Sequence, residues 1–365
     1  MSVTNDLVSD NRVHKIASTL TQMGFDVTLA GRKLKNSGAI IGRPYQTRRF
    51  SLWFNKGPMF YAAYNIRLYF YILFNKFDVI NANDLDSLWA CYAASKITKA
   101  NLVYDSHEYY TEVPELVDRP KVKRIWERIE ARILPKLNKC YTVCKSIADI
   151  YNEKYGCDFQ VVRNVPMKAV YADIDKDYRP PFPTDLPVVL YQGAVNKGRG
   201  IEEAILAMHA VNNARLVIIG SGDLYDECKQ LANDEKLTDK VFFTGRVPFQ
   251  QLAKMTRFAA VGLSIEKDIG LNYRYALPNK LFDYIHAEVP VIASSLPEIK
   301  RIVDTYKTGI TIKETSPTAI SEAIFYLLNN DILIEEIKSN CKEAKKALCW
   351  ENEEKIIKKL YSKFL

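Results

Sequence analysis

The chain has 365 residues, of which 48% are hydrophobic and 26% charged, and its formal net charge is +8. Those proportions are ordinary for a soluble globular protein, and the length excludes one ordinary core, so two domains are expected. The positive balance suits nucleic acid, a membrane surface or phosphorylated ligands and chooses none of them.

Seven cysteines are scattered without metal-ligand spacing. An odd, unpatterned set points to reduced thiols and a cytoplasmic location. The opening MSVTNDLVSDN has no apolar core, so no signal peptide is expected. The longest apolar run of the aromatic region, Tyr69 to Phe74, is far short of the ~20 residues of a spanning helix.

In chain order, the first half alternates helical patterns with short apolar runs. Helices are predicted at about 11–23, 85–98, 120–134 and 145–155. Strands are predicted at Val27–Ala30, Val79–Asn81, Leu102–Tyr104, Cys140–Val143 and Gln160–Val162. This βα alternation calls for a parallel sheet covered by helices. Between the first two strands, residues 48–78 interleave Arg48, Arg49, Lys56, Arg67 and Lys76 with many aromatic rings. Two readings stand: a core helix, since Tyr64, Leu68, Tyr71 and Ile72 recur at helical spacing, or a 48–60 loop resting on anionic lipid. Nucleic-acid motifs are absent, so no nucleic-acid partner is expected.

Asp84 and Asp86 follow one strand, and Asp105-Ser106-His107-Glu108 follows the next. A histidine at a strand mouth donates to a sugar hydroxyl or a phosphate, or shuttles protons; the alternative is a structural histidine capping the next helix. Thr111 stands where a zinc HExxH motif needs its second histidine. His14, His209 and His286 lie in helical patterns and read as structural.

Residues 165–187 hold five prolines and no sustained period, as a linker does. Strands then resume at Val188–Tyr191, Leu216–Ile219, Val241–Phe243, Val261–Ile265, Val289–Ala293 and Gly309–Ile312, and amphipathic helices close the chain at about 317–328, 331–347 and 350–363. The turn in YQGAVNKGRGIEEAI lets backbone N–H groups approach an anion beside Lys197 and Arg199. VIIGSGDLYDECKQL repeats strand, glycine turn and helix, with Asp223 the expected N-cap. In YALPNKLFDYIHAEVPVIAS, Pro278 suits the first helical position, and Asn279, Lys280 and Asp283 share one face. Standing alone, that face reads as solvated.

The ordered set of Arg199-Gly200, Gly220-Ser221-Gly222, Phe243-Thr244-Gly245-Arg246-Val247, Glu266 and Glu288-Val289-Pro290-Val291-Ile292-Ala293 resembles the nucleotide-binding half of retaining GT-B glycosyltransferases of family four. The resemblance covers about residues 187–365, and more loosely the opening NDLVSDNRVHKIASTLTQMGFDVTLAGRK and the strand ends near 84 and 107. It implies two Rossmann-like doubly wound α/β domains facing across a cleft. These are residues 1–170 for the acceptor, a linker at 171–187, residues 188–348 for the nucleotide sugar, and a helix at 349–365 crossing back to the first domain. It further implies transfer of a sugar from a nucleoside diphosphate sugar to a hydroxyl acceptor, such as a sugar or lipid-linked sugar, with retention.

The donor site so implied comprises Gly193, Lys197, Arg199, Gly220, Arg246, Val247, Asn279, Lys280 and Asp283. Asp283 lies seven residues before Pro290, where the family has a ribose-gripping glutamate. A carboxylate there suits a vicinal diol, and Lys280 with the helix N-terminus faces the pyrophosphate. His107 and Glu266 are the catalytic candidates, and Asp10, Arg12, Asp84 and Glu108 lie on the acceptor side. The sequence departs from the family at two places: Tyr275 stands where the first glutamate of the family pair belongs, and Ala194 replaces the arginine after the first glycine. No Asp-x-Asp motif ends a strand of the nucleotide half, so neither metal nor cofactor is expected. Two alternatives remain open. One is a GT-B nucleotide-sugar 2-epimerase, which needs no acceptor; the other is a non-catalytic nucleotide-sugar-binding subunit, which binds without turnover. The expected setting is cell-surface polysaccharide or glycolipid assembly, in the cytoplasm or on the inner membrane leaflet.

Overall fold

The computed structural model describes residues 1–8, 10–171 and 177–365; residue 9 of the expected opening loop and residues 172–176 of the expected linker lie outside the described residues. The chain divides into two compact units. One is Met1–Asn164 with Asn352–Leu365, and the other is Val165–Glu351.

The first unit runs β1 (Ser2–Asp6), α1 (Asn11–Gln22), β2 (Thr28–Lys33), β3 (Gln46–Ser51), α2 (Gly57–Phe74), β4 (Val79–Asn83), α3 (Leu85–Thr98) and β5 (Asn101–Ser106). It continues through α4 (Pro114–Val117), α5 (Pro120–Ile133), β6 (Cys140–Thr142), α6 (Lys145–Tyr155) and β7 (Phe159–Val161). Its strands form one parallel sheet in the order β3-β2-β1-β4-β5-β6-β7. The order reverses between β1 and β4, and the C-terminal strand edge at such a reversal is where doubly wound folds bind ligands.

Two strands of this sheet have no signal of their own in the sequence. β1 buries polar side chains: Ser2 Oγ donates to Ser87 Oγ at 3.2 Å, and Thr4 hydrogen-bonds Asp86. β3 is an edge strand of mostly exposed residues, with Phe50 its buried anchor. In α2 the core reading holds for one side only. Phe60, Tyr64, Leu68 and Ile72 are buried, whereas Met59, Ile66, Phe70 and Phe74 face out.

The second unit runs β8 (Val188–Gln192), α7 (Ile201–Ala207), β9 (Arg215–Ile219), α8 (Tyr225–Asp234), β10 (Val241–Gly245), α9 (Phe249–Thr256) and β11 (Ala259–Ser264). After these come α10 (Leu271–Arg274), α11 (Asn279–His286), β12 (Val291–Ser294), α12 (Pro297–Tyr306), β13 (Gly309–Ile312), α13 (Pro317–Leu328) and α14 (Asp331–Ala347). The parallel order β10-β9-β8-β11-β12-β13 reverses between β8 and β11. Buried on both faces, β8 and β12 read as continuous apolar runs.

α15 (Trp350–Tyr361) ends the chain, and from Asn352 onward it is part of the first unit. There Arg163 Nε donates to Glu353 at 2.8 Å, Thr19 Oγ1 donates to Glu354 at 3.2 Å, and Tyr361 meets Asn81.

Three local expectations are corrected. Pro278 is the N-cap of α11, and Asn279 is its first helical residue. β12 begins at Val291, because Pro290 has no N–H for the ladder and offers only its carbonyl, to Gly262. Asp223 does not cap α8: the helix starts at Tyr225 with Leu224 as cap, and the Asp223 N–H goes to Asn196 Oδ1.

Candidate functional site

The chemistry-bearing residues of the second unit gather at the C-terminal edge of β8 and β11. β8 is followed by Gly193, whose φ of +126° suits glycine and whose missing Cβ would point into open space. The loops after β8, β9 and β11 lock together through backbone groups. Val195 N–H donates to Ser221 O at 3.1 Å, Leu224 N–H to Val195 O at 3.0 Å, and Lys267 N–H to Gly198 O at 2.8 Å. The Tyr273 phenol adds a 2.8 Å bond to Lys197 O. The rim is therefore a fixed backbone surface, open at Gly193.

Glu266 sits just beyond β11 with no exposure at all. Lys280 Nζ lies 2.9 Å from its Oε1, Arg199 Nη1 lies 3.5 Å away, and Ser264 Oγ donates to Oε2 at 3.0 Å. Lys280 Nζ also stands 3.9 Å above the Tyr191 ring, and the Arg199 guanidinium lies 5.0 Å from the centre of the Tyr273 ring. The Lys280–Glu266 contact is an ion pair of poor hydrogen-bond alignment, since neither Nζ nor Oε1 reaches a partner with good geometry. Burial lowers the Lys280 ammonium to about 8, partly resisted by Glu266. Burial would raise the Glu266 carboxyl, but Lys280 and Arg199 outweigh it and hold the acid below its ordinary range. Two cations thus converge on one buried carboxylate beyond the ends of β8 and β11.

Helix α11 is buried along nearly its whole length, which overturns the solvated-face reading: Lys280 and Asp283 are each 7% exposed, and Asn279 alone is open. Asp283 Oδ2 accepts from Gln192 Nε2 at 3.0 Å, and Gln192 Oε1 accepts from Thr256 Oγ1 at 2.8 Å. Lys197 and Arg246 are exposed, Val247 and Gly220 half-buried. The structure thus gathers Gly193, Gly220, Arg199, Glu266, Lys280 and Asp283, joined to one another through the ends of β8, β9 and β11. Tyr191, Gln192 and Tyr273 belong to the same constellation and are not among the predicted residues. Gln192 had a signal, a polar side chain closing a fully buried strand.

The first unit carries a second cluster at its own strand edge. Asp84, between β4 and α3, has φ at +61°, a conformation non-glycine residues adopt rarely. Its Oδ1 accepts the backbone N–H of His107 at 2.8 Å, and its Oδ2 lies 3.2 Å from His107 Nδ1. On the other side of the ring, His107 Nε2 is 3.0 Å from Asp105 Oδ2. Arg12 grips Asp105 with Nε at 3.0 Å and Nη2 at 2.7 Å, and gives Nη1 to Val162 O at 2.7 Å. Its fork is therefore taken up behind the histidine. Asp10 caps α1 through Val13 N–H, and Glu108 is half-buried with its carbonyl accepting from Ser106. Among the other histidines, His14 meets the Tyr45 phenol, His286 the Leu348 carbonyl and His209 Glu235.

Burial alone would lower the His107 imidazole, but Asp84 and Asp105 outweigh it and raise the ring from 6.5 to about 9. Burial pushes the Asp84 carboxyl up to about 7, while Arg12 and His107 hold that of Asp105 down, so at neutral pH His107 is an imidazolium held by the Asp105 carboxylate and by an Asp84 that is itself part-protonated. Because the folded value of His107 exceeds the unfolded one, its stabilisation is lost as pH rises through about 9, and the part supplied by Asp84 falls away again below about pH 7, where that carboxyl takes up a proton. A proton NMR titration is expected to show the His107 ring changing near pH 9, and to show that transition moving down in Asp84→Asn. A wild-type transition near pH 6.5 would rule out the clamp.

Among the described residues, no group of three or more His, Cys, Asp or Glu is disposed to hold a metal ion, and no helix is long and apolar enough to cross a membrane. Residues 174–347 match the glycosyl transferases group 1 family, and residues 10–166 match glycosyltransferase family 4. An uncharacterized glycosyltransferase of Methanocaldococcus jannaschii, MJ1607, is 28% identical over 174 residues, which is 46% of this chain and 43% of that protein. A second, MJ1069, is 24% identical over 184 residues, 48% of this chain and 45% of that protein. The chain thus spans less than half the length of these curated relatives. Among solved structures, sucrose-phosphate synthase of Thermosynechococcus elongatus is similar in fold, with a TM-score of 0.79 at 19% identity over 96% of this chain and 92% of that one. Anabaena HepE in complex with UDP and glucose gives a TM-score of 0.77 at 14% identity over 99% of this chain and 98% of that one.

Proposed function

The chain belongs to the glycosyl transferases group 1 family and has the GT-B type of fold, and on that premise we propose that it transfers a sugar from a nucleoside diphosphate sugar to a hydroxyl acceptor with retention, without a metal. The observation that carries this reading is the convergence of Lys280 and Arg199 on Glu266 beyond β11, with Lys280 over Tyr191 of β8, two residues before the Gly193 turn. As the sugar leaves, negative charge grows on the diphosphate. A buried ammonium, a guanidinium and the N-terminus of α11 stabilise that charge without reorganising. The bond between the sugar's anomeric carbon and the diphosphate oxygen breaks, and a bond from that carbon to the acceptor oxygen forms on the same face. The acceptor's proton passes to the departing phosphate. Asp283, oriented by Gln192, takes the ribose hydroxyls, and Glu266 meets the sugar from its strand end.

Two proteins of similar structure support this reading: Anabaena HepE forms a complex with UDP-glucose, and WaaG is a glycosyltransferase involved in lipopolysaccharide biosynthesis. A lipid-linked sugar acceptor, met at the inner leaflet during cell-surface polysaccharide or glycolipid assembly, completes the proposal. The test is product analysis with UDP-, GDP- and ADP-hexoses, each with and without a lipid-linked sugar acceptor, in the presence of EDTA. The expected product keeps the donor's anomeric configuration and forms only with acceptor. Sugar epimerised by donor alone, donor binding without turnover, or activity lost to EDTA and restored by Mn²⁺ would each contradict the proposal. Asp283→Ala is expected to weaken nucleoside diphosphate binding roughly 10- to 150-fold, the effect of losing a charged hydrogen-bond acceptor.

A further inference from the structure

Four exposed apolar side chains of the first unit share one face of a single helix, α2. α2 contains no Asp or Glu. Its inner side is buried, yet its outer side repeats Met59, Ile66, Phe70 and Phe74 at near-helical spacing, the last of them 82% exposed. Apart from Arg67, its one charged residue, such a helix is largely apolar on both sides, although one side of it meets solvent. Phe74 stacks on Phe70 at 6.2 Å, and Tyr69 of the same helix reaches Trp89 of α3 at 6.3 Å. Trp89 and Ile97 carry the exposed apolar surface onto α3.

α5 is tied to α2 through Tyr61 and Trp126, whose rings are 5.3 Å apart. Its outer stripe is cationic: Lys121, Arg124, Arg128 and Arg132 are all exposed, with Ile125 among them. The loop entering α2 adds Trp53, 97% exposed, with Phe54 and Lys56. That loop leaves β3 at Ser51, on the same C-terminal edge of the sheet as Asp84 and His107.

An apolar ridge beside a basic ridge matches a layered partner, acyl chains under anionic headgroups. Two copies joined about α2 by a twofold axis would instead set like-charged α5 stripes near one another. We propose that the α2–α3–α5 face lies on an anionic bilayer, with Met59, Ile66, Phe70 and Phe74 among the headgroups and upper acyl chains and the α5 cations on lipid phosphates. This deepens, and rests on, the reading of a lipid-linked acceptor. It replaces the 48–60 loop as the docking element with a three-helix face of which that loop is the margin.

Co-sedimentation with phosphatidylcholine vesicles, with and without phosphatidylglycerol, tests the proposal at low salt. Wild type is expected in the pellet with anionic vesicles. Arg124→Glu/Arg128→Glu should weaken binding by roughly 30-fold or more, at about 1 kcal/mol per basic residue. Phe70→Ser/Phe74→Ser should weaken it comparably. Because these side chains are exposed, unfolding midpoints should stay near wild type. Wild type left in the supernatant, variants that sediment like wild type, or a wild-type dimer dissolved by Phe70→Ser/Phe74→Ser would each overturn the proposal. Nucleoside diphosphate binding is measured on the same proteins. Nucleotide binding without vesicle binding removes the docking face alone, and vesicle binding without nucleotide binding removes the transferase reading alone.

Discussion

Lys280→Ala is expected to destabilise the second unit by about 3–5 kcal/mol, because it leaves Glu266 a buried charge without its nearest partner. Arg199, at 3.5 Å, recovers part of that loss. The double variant Lys280→Met/Glu266→Gln removes both charges and is expected to regain most of the stability in urea unfolding. Turnover should not return with it: kcat/KM is expected to stay lower by about 100-fold or more, the scale of losing an oriented charge that stabilises a leaving group. The pair of variants separates two things the Lys280–Glu266 pair does at once, the mutual balance of two buried charges and the service of Lys280 to the diphosphate and Glu266 to the sugar. A double variant that turns over like wild type would leave Lys280 only the first.

Gly220→Ala is expected to remove nucleotide binding and destabilise the second unit by about 3 kcal/mol or more. The added Cβ would fall 1.8 Å from the Gly193 carbonyl oxygen, at a backbone φ of +151°. Both sides of that clash are backbone, so no side-chain rotation relieves it. Separating them breaks the bonds from Gly193 N–H to Ile219 O and from Gly220 N–H to Gly245 O, which hold the ends of β8, β9 and β10 together. Gly193→Ala is the informative contrast. Its Cβ meets nothing within 4 Å, so it carries only the backbone strain, about 1–2 kcal/mol, while placing a methyl on the open rim. It should fold and bind nucleotide weakly. Equal unfolding midpoints for the two variants would contradict this account of the turn.

The alternation of buried strands and amphipathic helices is readable in the sequence because parallel strands covered on both faces must be continuously apolar, as Val188–Gln192 shows. β1 escaped because its inward side chains are Ser2 and Thr4, satisfied by partners some eighty residues away that no local pattern reports. β3 escaped because an edge strand needs only Phe50 inside. Within the site, the resemblance to the family, counted back from Pro290, singles out Asp283, and helical periodicity joins it to Lys280. That Lys280 reaches back to Glu266 across a loop and a short helix is a tertiary fact, invisible to spacing. The same holds for Arg12: its charge near the opening loop suggests a ligand contact, while the fold directs its fork onto Asp105. Residues that position others are harder to read than residues that end strands, because their partners are distant in sequence.

The most direct measurement on the central claim is equilibrium binding of UDP, GDP and ADP, and of their hexose conjugates, to wild type, Asp283→Ala and Gly193→Ala in EDTA. The account predicts that one nucleoside diphosphate binds wild type without metal and that both variants lose at least about ten-fold in affinity while keeping their fold. Wild-type protein that binds none of them at millimolar concentration, or variants that bind as wild type does, would contradict a nucleotide-sugar site at the β8–β11 edge.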